Sequence, residues 1–269
     1  MNRPGIFSGY AFDLDGTVYI GDELLPGAAE TIARLREVGA RVVFVTNKTL
    51  YTAAQYADKL TELGIPTETD DVVTALDALI RYLNQRHRGH RLLPVAEHLV
   101  LEQLVEAGFD VTEDPTDADV VVVSFDRTFS YQKLHAAFRA VRENGAVIVA
   151  TNPDAFCPTP DGGLPDCAAM LAAVEAATGA RAEAIVGKPS AWMADVLLAR
   201  LGVAPQDVAV VGDRLTTDIA MGQSVGAVGI LVLTGATTAA AAAAGPVAPD
   251  YVLDGLHELL PAMSRGVPT

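Results

Sequence analysis

The chain has 269 residues, 34 acidic against 19 basic side chains, and a net charge of −15. At ~150 residues per domain this is about two domains, or one large one, ample to bury a core without disulfide or metal staples. Half the residues are apolar, which excludes wholesale disorder, and the acidity speaks against nucleic acid or an anionic membrane as partner.

From the N-terminus, Met1 to Gly5 lead into an apolar run that soon meets Asp13, too short for a secretory signal. No stretch approaches the ~18 uninterrupted apolar residues of a membrane span. Two cysteines, Cys157 and Cys167, are too few for a secreted disulfide scaffold and read as reduced thiols. A soluble, cytoplasmic chain is expected.

Continuous apolar, β-branched runs at 10–12, 42–45, 120–123, 147–149, 208–211 and 230–233 suit strands covered on both faces. Between them, 28–38, 52–63, 131–142, 190–201 and 217–224 have helical period, and Gly39, Gly64, Gly145 and Gly202 close four of these segments. Residues 236–244 are an alanine-rich helix candidate. Strand and helix in alternation mean α/β with a parallel, doubly wound sheet. A helix at 76–87 ends in the basic run 86–91, and three further strand–helix alternations follow. An inserted α/β domain is therefore placed at 76–183, with 1–75 and 184–269 folding together as a discontinuous core.

The first chemical feature is Asp13-Leu14-Asp15-Gly16-Thr17, directly after a strand. Two carboxylates at the carboxyl end of a parallel strand lie where α/β sheets bind ligands. Such crowding raises a pKa or recruits a hard cation such as Mg²⁺. A calcium loop does not fit, because its twelfth position is Leu24. By itself the motif is equally a solvated turn. Thr46-Asn47 after the second strand offers donors to a phosphate oxygen, or caps the next helix. Gly187-Lys188-Pro189 is no Walker loop, since Ala182 stands where a glycine is needed; a lysine before proline is held by a turn rather than inside a helix, and taken alone it is expected to face solvent. Finally, 208–212 lead into Asp213 and Asp218, the latter near a helix start.

Taken in this order, the four motifs resemble the haloacid dehalogenase-like superfamily of phosphotransferases. The long insertion between the second and third resembles the class IIA cap of its NagD-like and p-nitrophenyl phosphatase-like branch. Thr151-Asn152-Pro153-Asp154, Leu233-Thr234-Gly235 and Pro249-Asp250-Tyr251 add to the likeness, which extends from Gly9 to Leu260 and is nearest to bacterial sugar-phosphate phosphatases.

The resemblance implies that Asp13 is the nucleophile, forming an aspartyl-phosphate, and that Asp15 is general acid and then base. It implies a Mg²⁺ held by Asp13, the Asp15 carbonyl and Asp213, with Asp218 orienting from behind. Thr46, Lys188 and the backbone amides near Asp15 and Asn47 would hold the phosphate oxygens. Dehalogenases of the superfamily do without the second aspartate, so Asp15 favours phosphoryl transfer to water. Asn152, Asp154 and Lys48 are candidates to read the substrate, Lys48 being either a substrate contact or a solvated side chain.

The stretch 156–167, with Pro158, Pro160, Asp161, Gly162, Gly163 and Pro165, is a turn-rich loop, either substrate-reading or a plain surface excursion. Where many relatives have Pro-Gly-x-Gly, this chain has Pro165-Asp166-Cys167-Ala168. His87, His90, His98, His135 and His257 fall outside the motifs and are expected at the surface or partly packed. The substrate expected is a small phosphorylated metabolite, a sugar phosphate first, with nucleoside monophosphates, pyridoxal phosphate and glycerol phosphate as rivals. A homodimer through the cap stays open, as does a non-catalytic metabolite-binding regulator with the same fold.

Overall fold

The computed structural model describes residues 4–157 and 163–260. Met1, Asn2 and Arg3, and the loop positions Pro158, Pro160, Asp161 and Gly162, lie outside the described residues. The chain divides into two compact units, the first within Met1–Val45, Ala57–Val72 and Leu197–Thr269, the second within Thr46–Tyr56 and Val73–Val196.

In chain order the elements are β1 (Gly9–Asp13), the hairpin β2 (Tyr19–Ile20) and β3 (Glu23–Leu24), α1 (Ala28–Glu37), β4 (Arg41–Thr46), α2 (Ala53–Glu62), β5 (Val72–Thr74) and α3 (Ala75–Arg86). There follow β6 (Arg91–Val95), α4 (His98–Glu106), β7 (Asp110–Val111), β8 (Val120–Val123), α5 (Tyr131–Asn144), β9 (Val147–Ala150), the pair β10 (Phe156–Cys157) and β11 (Leu164–Pro165), α6 (Cys167–Thr178) and β12 (Ala184–Ile185). The chain continues with α7 (Ala191–Leu201), β13 (Val208–Gly212), α8 (Ala220–Ser224), β14 (Val228–Val232), α9 (Ala239–Ala244) and β15 (Tyr251–Leu253).

A six-stranded sheet runs β15-β14-β13-β1-β4-β5. Its central strands β1 and β13 are buried at every position, as continuous rather than alternating runs require. Successive strands leave β1 in opposite directions, so the sheet order reverses beside it. The crevice at the carboxyl end of such a strand is the ligand position of open α/β sheets. Parallel pairing of Phe12 with Val211 sets the ends of β1 and β13 side by side.

The second sheet runs β12-β9-β8-β6-β7 and is parallel throughout. Its core joins Val95, Val121, Val123 and Ile148 to Ala137 and Ala140 of α5 and to Leu171 and Val174 of α6. Sequence explains the helix ends. Thr74 and Asp77 form a reciprocal capping box at α3, and Ser130 caps α5. The four glycines expected to close helices all take left-handed φ values, between 67° and 95°.

The helix expected over 217–224 is altered. Residues Leu215–Ile219 form a wide π-type turn and α-helix begins only at Ala220. The Arg214 N–H donates to Asp218 Oδ2 at 3.1 Å, so the carboxylate is turned back on its own turn. Single π turns of this kind gather at functional sites. The turn-rich stretch after Ala155 starts as an antiparallel pair, Cys157 opposite Leu164. The basic run is dispersed: Arg86 lies over Trp192, His87 is buried with Nε2 2.9 Å from Glu183 Oε1, and Arg91 pairs with Asp110 and Asp117. Both cysteines are buried and neither forms a disulfide. Among the described residues no helix is long and apolar enough to cross a membrane.

Candidate active site

In the first unit, Asp13 ends β1, Asp213 follows β13, and Asp218 stands in the π turn. All three are buried, and each offers a carboxylate oxygen within 4.8 Å of the other two. Two unit charges at that separation repel by about 3 kcal/mol even at an effective dielectric of ~20. Three such oxygens gathered out of water could hold a cation.

The surrounding chain holds the cluster in place. Ala236 N donates to Asp213 Oδ2 at 2.5 Å, and Thr17 Oγ1 to Asp13 Oδ2 at 3.4 Å. Gly16 has φ +87°, and a Cβ there would come within 2.7 Å of Asp213 Oδ2. Its N–H donates to the Tyr19 carbonyl and its carbonyl accepts from Thr234 Oγ1 at 2.6 Å. The chain thus turns at Gly16, immediately after the half-buried Asp15, and leads into the β2–β3 hairpin. A Cβ on Gly235 would fall on the Asp213 carboxylate, so Leu233-Thr234-Gly235 packs backbone directly against the acid.

In the second unit, Thr46, Asn47 and Lys188 are all buried. Thr46 Oγ1 accepts from Lys48 N at 3.1 Å. Asn47 does not cap α2. Its Nδ2 donates to Asp154 Oδ2 at 2.9 Å and to the Lys188 carbonyl at 3.2 Å, and its Oδ1 accepts from Lys188 N at 2.7 Å. Asn152, fully buried, donates to the Asn47 carbonyl at 3.1 Å and accepts from Asp154 N at 2.9 Å. The Lys188–Pro189 peptide bond is cis.

Asp166, which sequence analysis met only as a departure from relatives, caps α6 and accepts from Cys167 N at 2.6 Å. Burial pushes its carboxyl up to about 6; Asp154 adds to the rise, while Cys167 N, Asn152 and Lys48 oppose it. Burial likewise raises the Cys167 thiol to about 11, leaving it an inert core group. A row of hydroxyls lies nearby in the second unit: Ser124 Oγ is 2.9 Å from Thr49 Oγ1 and 3.0 Å from Thr151 Oγ1. Asp166 carried a readable signal, an acid just before a helical run. Ser124 carried none, because its partners lie 75 and 27 residues away.

A family model described as haloacid dehalogenase-like hydrolase matches residues 10–110, and a second model of the same kind, HAD-hydrolase-like, matches 185–259. The sugar-phosphatase AraL of Bacillus subtilis is 35% identical over 260 residues, covering 97% of this chain and 94% of that protein. An acid sugar phosphatase of Staphylococcus epidermidis is 34% identical, covering 96% of this chain and 99% of its own. Among solved structures, a 4-nitrophenylphosphatase from Thermotoga maritima superposes with a TM-score of 0.88 at 36% identity, over 94% of this chain and 96% of that one. A glycerol phosphate phosphatase from Mycobacterium tuberculosis, solved in complex with magnesium, gives 0.86 at 33% identity, over 94% and 76%.

Proposed function

Because the chain belongs to the haloacid dehalogenase-like hydrolases, in their NagD-like branch, we propose that it is a Mg²⁺-dependent phosphatase of small phosphorylated metabolites, sugar phosphates first. That it is a phosphoric monoester hydrolase rests on phosphatase relatives matched along nearly the whole chain. The observation that carries the cation requirement is the buried triad Asp13, Asp213 and Asp218. Its donors are all hard carboxylate oxygens, which suits Mg²⁺ rather than a soft metal. Asp13, Asp213 and the Asp15 carbonyl are the proposed ligands, with Asp218 beside them.

Bound there, Mg²⁺ supplies charge that offsets the repulsion between a carboxylate and a phosphate dianion. An Asp13 oxygen attacks phosphorus and the bond from phosphorus to the ester oxygen breaks, while Asp15 hands its proton to that oxygen. Asp15, now a base, takes a proton from the water that attacks the phosphoryl group, and the bond to Asp13 breaks. Lys188, Thr46 and backbone amides, that of Asn47 among them, neutralise the non-bridging oxygens as charge shifts.

Residues 76–183 are proposed as the class IIA cap that reads the leaving group. Asp154 and Lys48 are the reading candidates, whereas Asn152 builds the turn that presents Asp154. The setting proposed is cytoplasmic, and a dimer through 76–183 is checked by sedimentation. Hydrolysis of p-nitrophenyl phosphate with and without Mg²⁺, in wild type and Asp13→Asn, tests the reading. Turnover is expected only in the wild type with Mg²⁺; equal rates in both proteins would sink the nucleophile assignment. A panel of phosphorylated metabolites ranked by kcat/KM tests the substrate class, and nucleotides ranking above every sugar phosphate would overturn it.

A further inference from the structure

A carboxamide has two N–H donors and one acceptor oxygen. In Asn47 both donors are engaged, one by the Asp154 carboxylate at 2.9 Å and one by the Lys188 carbonyl at 3.2 Å. The oxygen accepts the Lys188 N–H at 2.7 Å. One side chain therefore grips the main chain of Lys188 on both its donor and its acceptor. The residue before it can only be glycine, since a Cβ on Gly187 would sit 2.5 Å from Asn47 Oδ1 and 2.5 Å from the Thr151 carbonyl. The amide also fits one way round. Flipped, its NH₂ would face the Lys188 N–H, and its oxygen would face the Asp154 carboxylate and the Lys188 carbonyl. Asn47 itself is anchored from behind, its carbonyl accepting from Asn152 Nδ2 at 3.1 Å.

We infer that Asn47 is a positioning residue that acts through Lys188, and that Asp154 is the acceptor that keeps its amide turned the right way. This rests on the phosphatase reading, in which the Lys188 ammonium neutralises phosphate oxygens. With both donors occupied, the Asn47 side chain has no N–H left for phosphate, so any contact it makes there is through the backbone. Clamping φ and ψ of Lys188 fixes where its long side chain starts, and a misplaced donor loses most of its value in the transition state. Asp154 comes from the turn after β9, so the same carboxylate proposed to read the leaving group also braces the residue that holds the lysine. Its removal is expected to lower kcat as well as to alter KM.

The test is a double-mutant cycle on kcat for p-nitrophenyl phosphate with wild type, Asn47→Ala, Lys188→Met and the double variant, joined to amide hydrogen exchange at Lys188. Asn47→Ala is expected to lower kcat about tenfold or more. In the Lys188→Met background the same change is expected to cost less than about threefold, because the group it positions is gone. The Lys188 amide is expected to lose protection in Asn47→Ala and in Asp154→Ala, and to keep it in Asp154→Asn, whose side-chain oxygen still accepts. Losses that multiply across the cycle, or a Lys188 amide that exchanges as in wild type in Asn47→Ala, would overturn the inference. Should Asn47→Ala fail to fold, the cycle is run with the isosteric Asn47→Asp, which keeps the acceptor and loses both donors. A wild type without turnover would fail the phosphatase reading instead, and the exchange arm alone then decides the clamp.

Discussion

The Asp166→Asn substitution should stabilise the protein at neutral pH and leave it nearly unchanged in acid. Asp166 is 3% exposed, its carboxyl is raised from 3.8 to about 6 chiefly by burial, and the Asp154 carboxylate adds to the rise. A carboxyl whose pKa is higher folded than unfolded favours folding only while it is protonated. Its contribution is complete below the unfolded value near 3.8 and is lost as pH rises through about 6. The shift from 3.8 to about 6, at ~1.4 kcal/mol per unit, gives an upper bound of about 3 kcal/mol above pH 7. Asparagine carries no charge to desolvate, and its oxygen still accepts from Cys167 N, so the helix cap survives. Urea unfolding of wild type and variant from pH 4 to 8, followed by Trp192 fluorescence, measures the difference. The variant's advantage should be near zero at pH 4 and grow toward about 3 kcal/mol by pH 8. A difference that stays flat with pH, or that turns in favour of the wild type as pH rises, would refute the argument, because Lys48 and the start of α6 would then be stabilising the carboxylate more than burial penalises it.

Two further outcomes follow from packing around acids. Lys133→Met should destabilise the second unit by about 3 kcal/mol in urea unfolding, because it strips a buried carboxylate of its cation; Lys133 Nζ lies 2.6 Å from Asp126 Oδ2 and also donates to the Ala96 carbonyl and Thr128 Oγ1. Gly235→Ala should fold, as circular dichroism will report, yet weaken Mg²⁺ binding about tenfold or more by calorimetry, since the added Cβ displaces the Asp213 carboxylate.

Much of the fold was legible because its long strands are continuous β-branched runs and its helices carry apolar period and glycine stops. The apolar run at 120–123 is β8 residue for residue, and helix α7 starts one residue after the expected position. What escaped was short or polar. The two-residue strands β2, β3, β7, β10, β11 and β12 have too little sequence for a period and form because a partner strand is waiting. The wide turn at Leu215–Ile219 escaped because a helical pattern says nothing of how tightly the first turn is wound. There the Arg214 N–H and a close backbone approach at Gly212 set the outcome for Asp218.

The candidate site divides the same way. Sequence alone determined which acids stand at strand ends, the order of the four motifs, the family they resemble and the net charge of −15. Tertiary structure decided which of those acids share one place. Asp13 and Asp213 converge although 200 positions apart because parallel pairing sets β1 beside β13, and Asp218 joins them by the π turn. It also decided that the amide of Asn47 serves Lys188, 141 residues away, and Asp154, 107 residues away. Local sequence encodes propensity and period, both short-ranged, whereas a carboxylate's or an amide's role depends on what lies within hydrogen-bond reach, and sheet order sets that neighbourhood. Net charge is a sum over the surface, and the field at three buried carboxylates is set by their neighbours within a few ångströms.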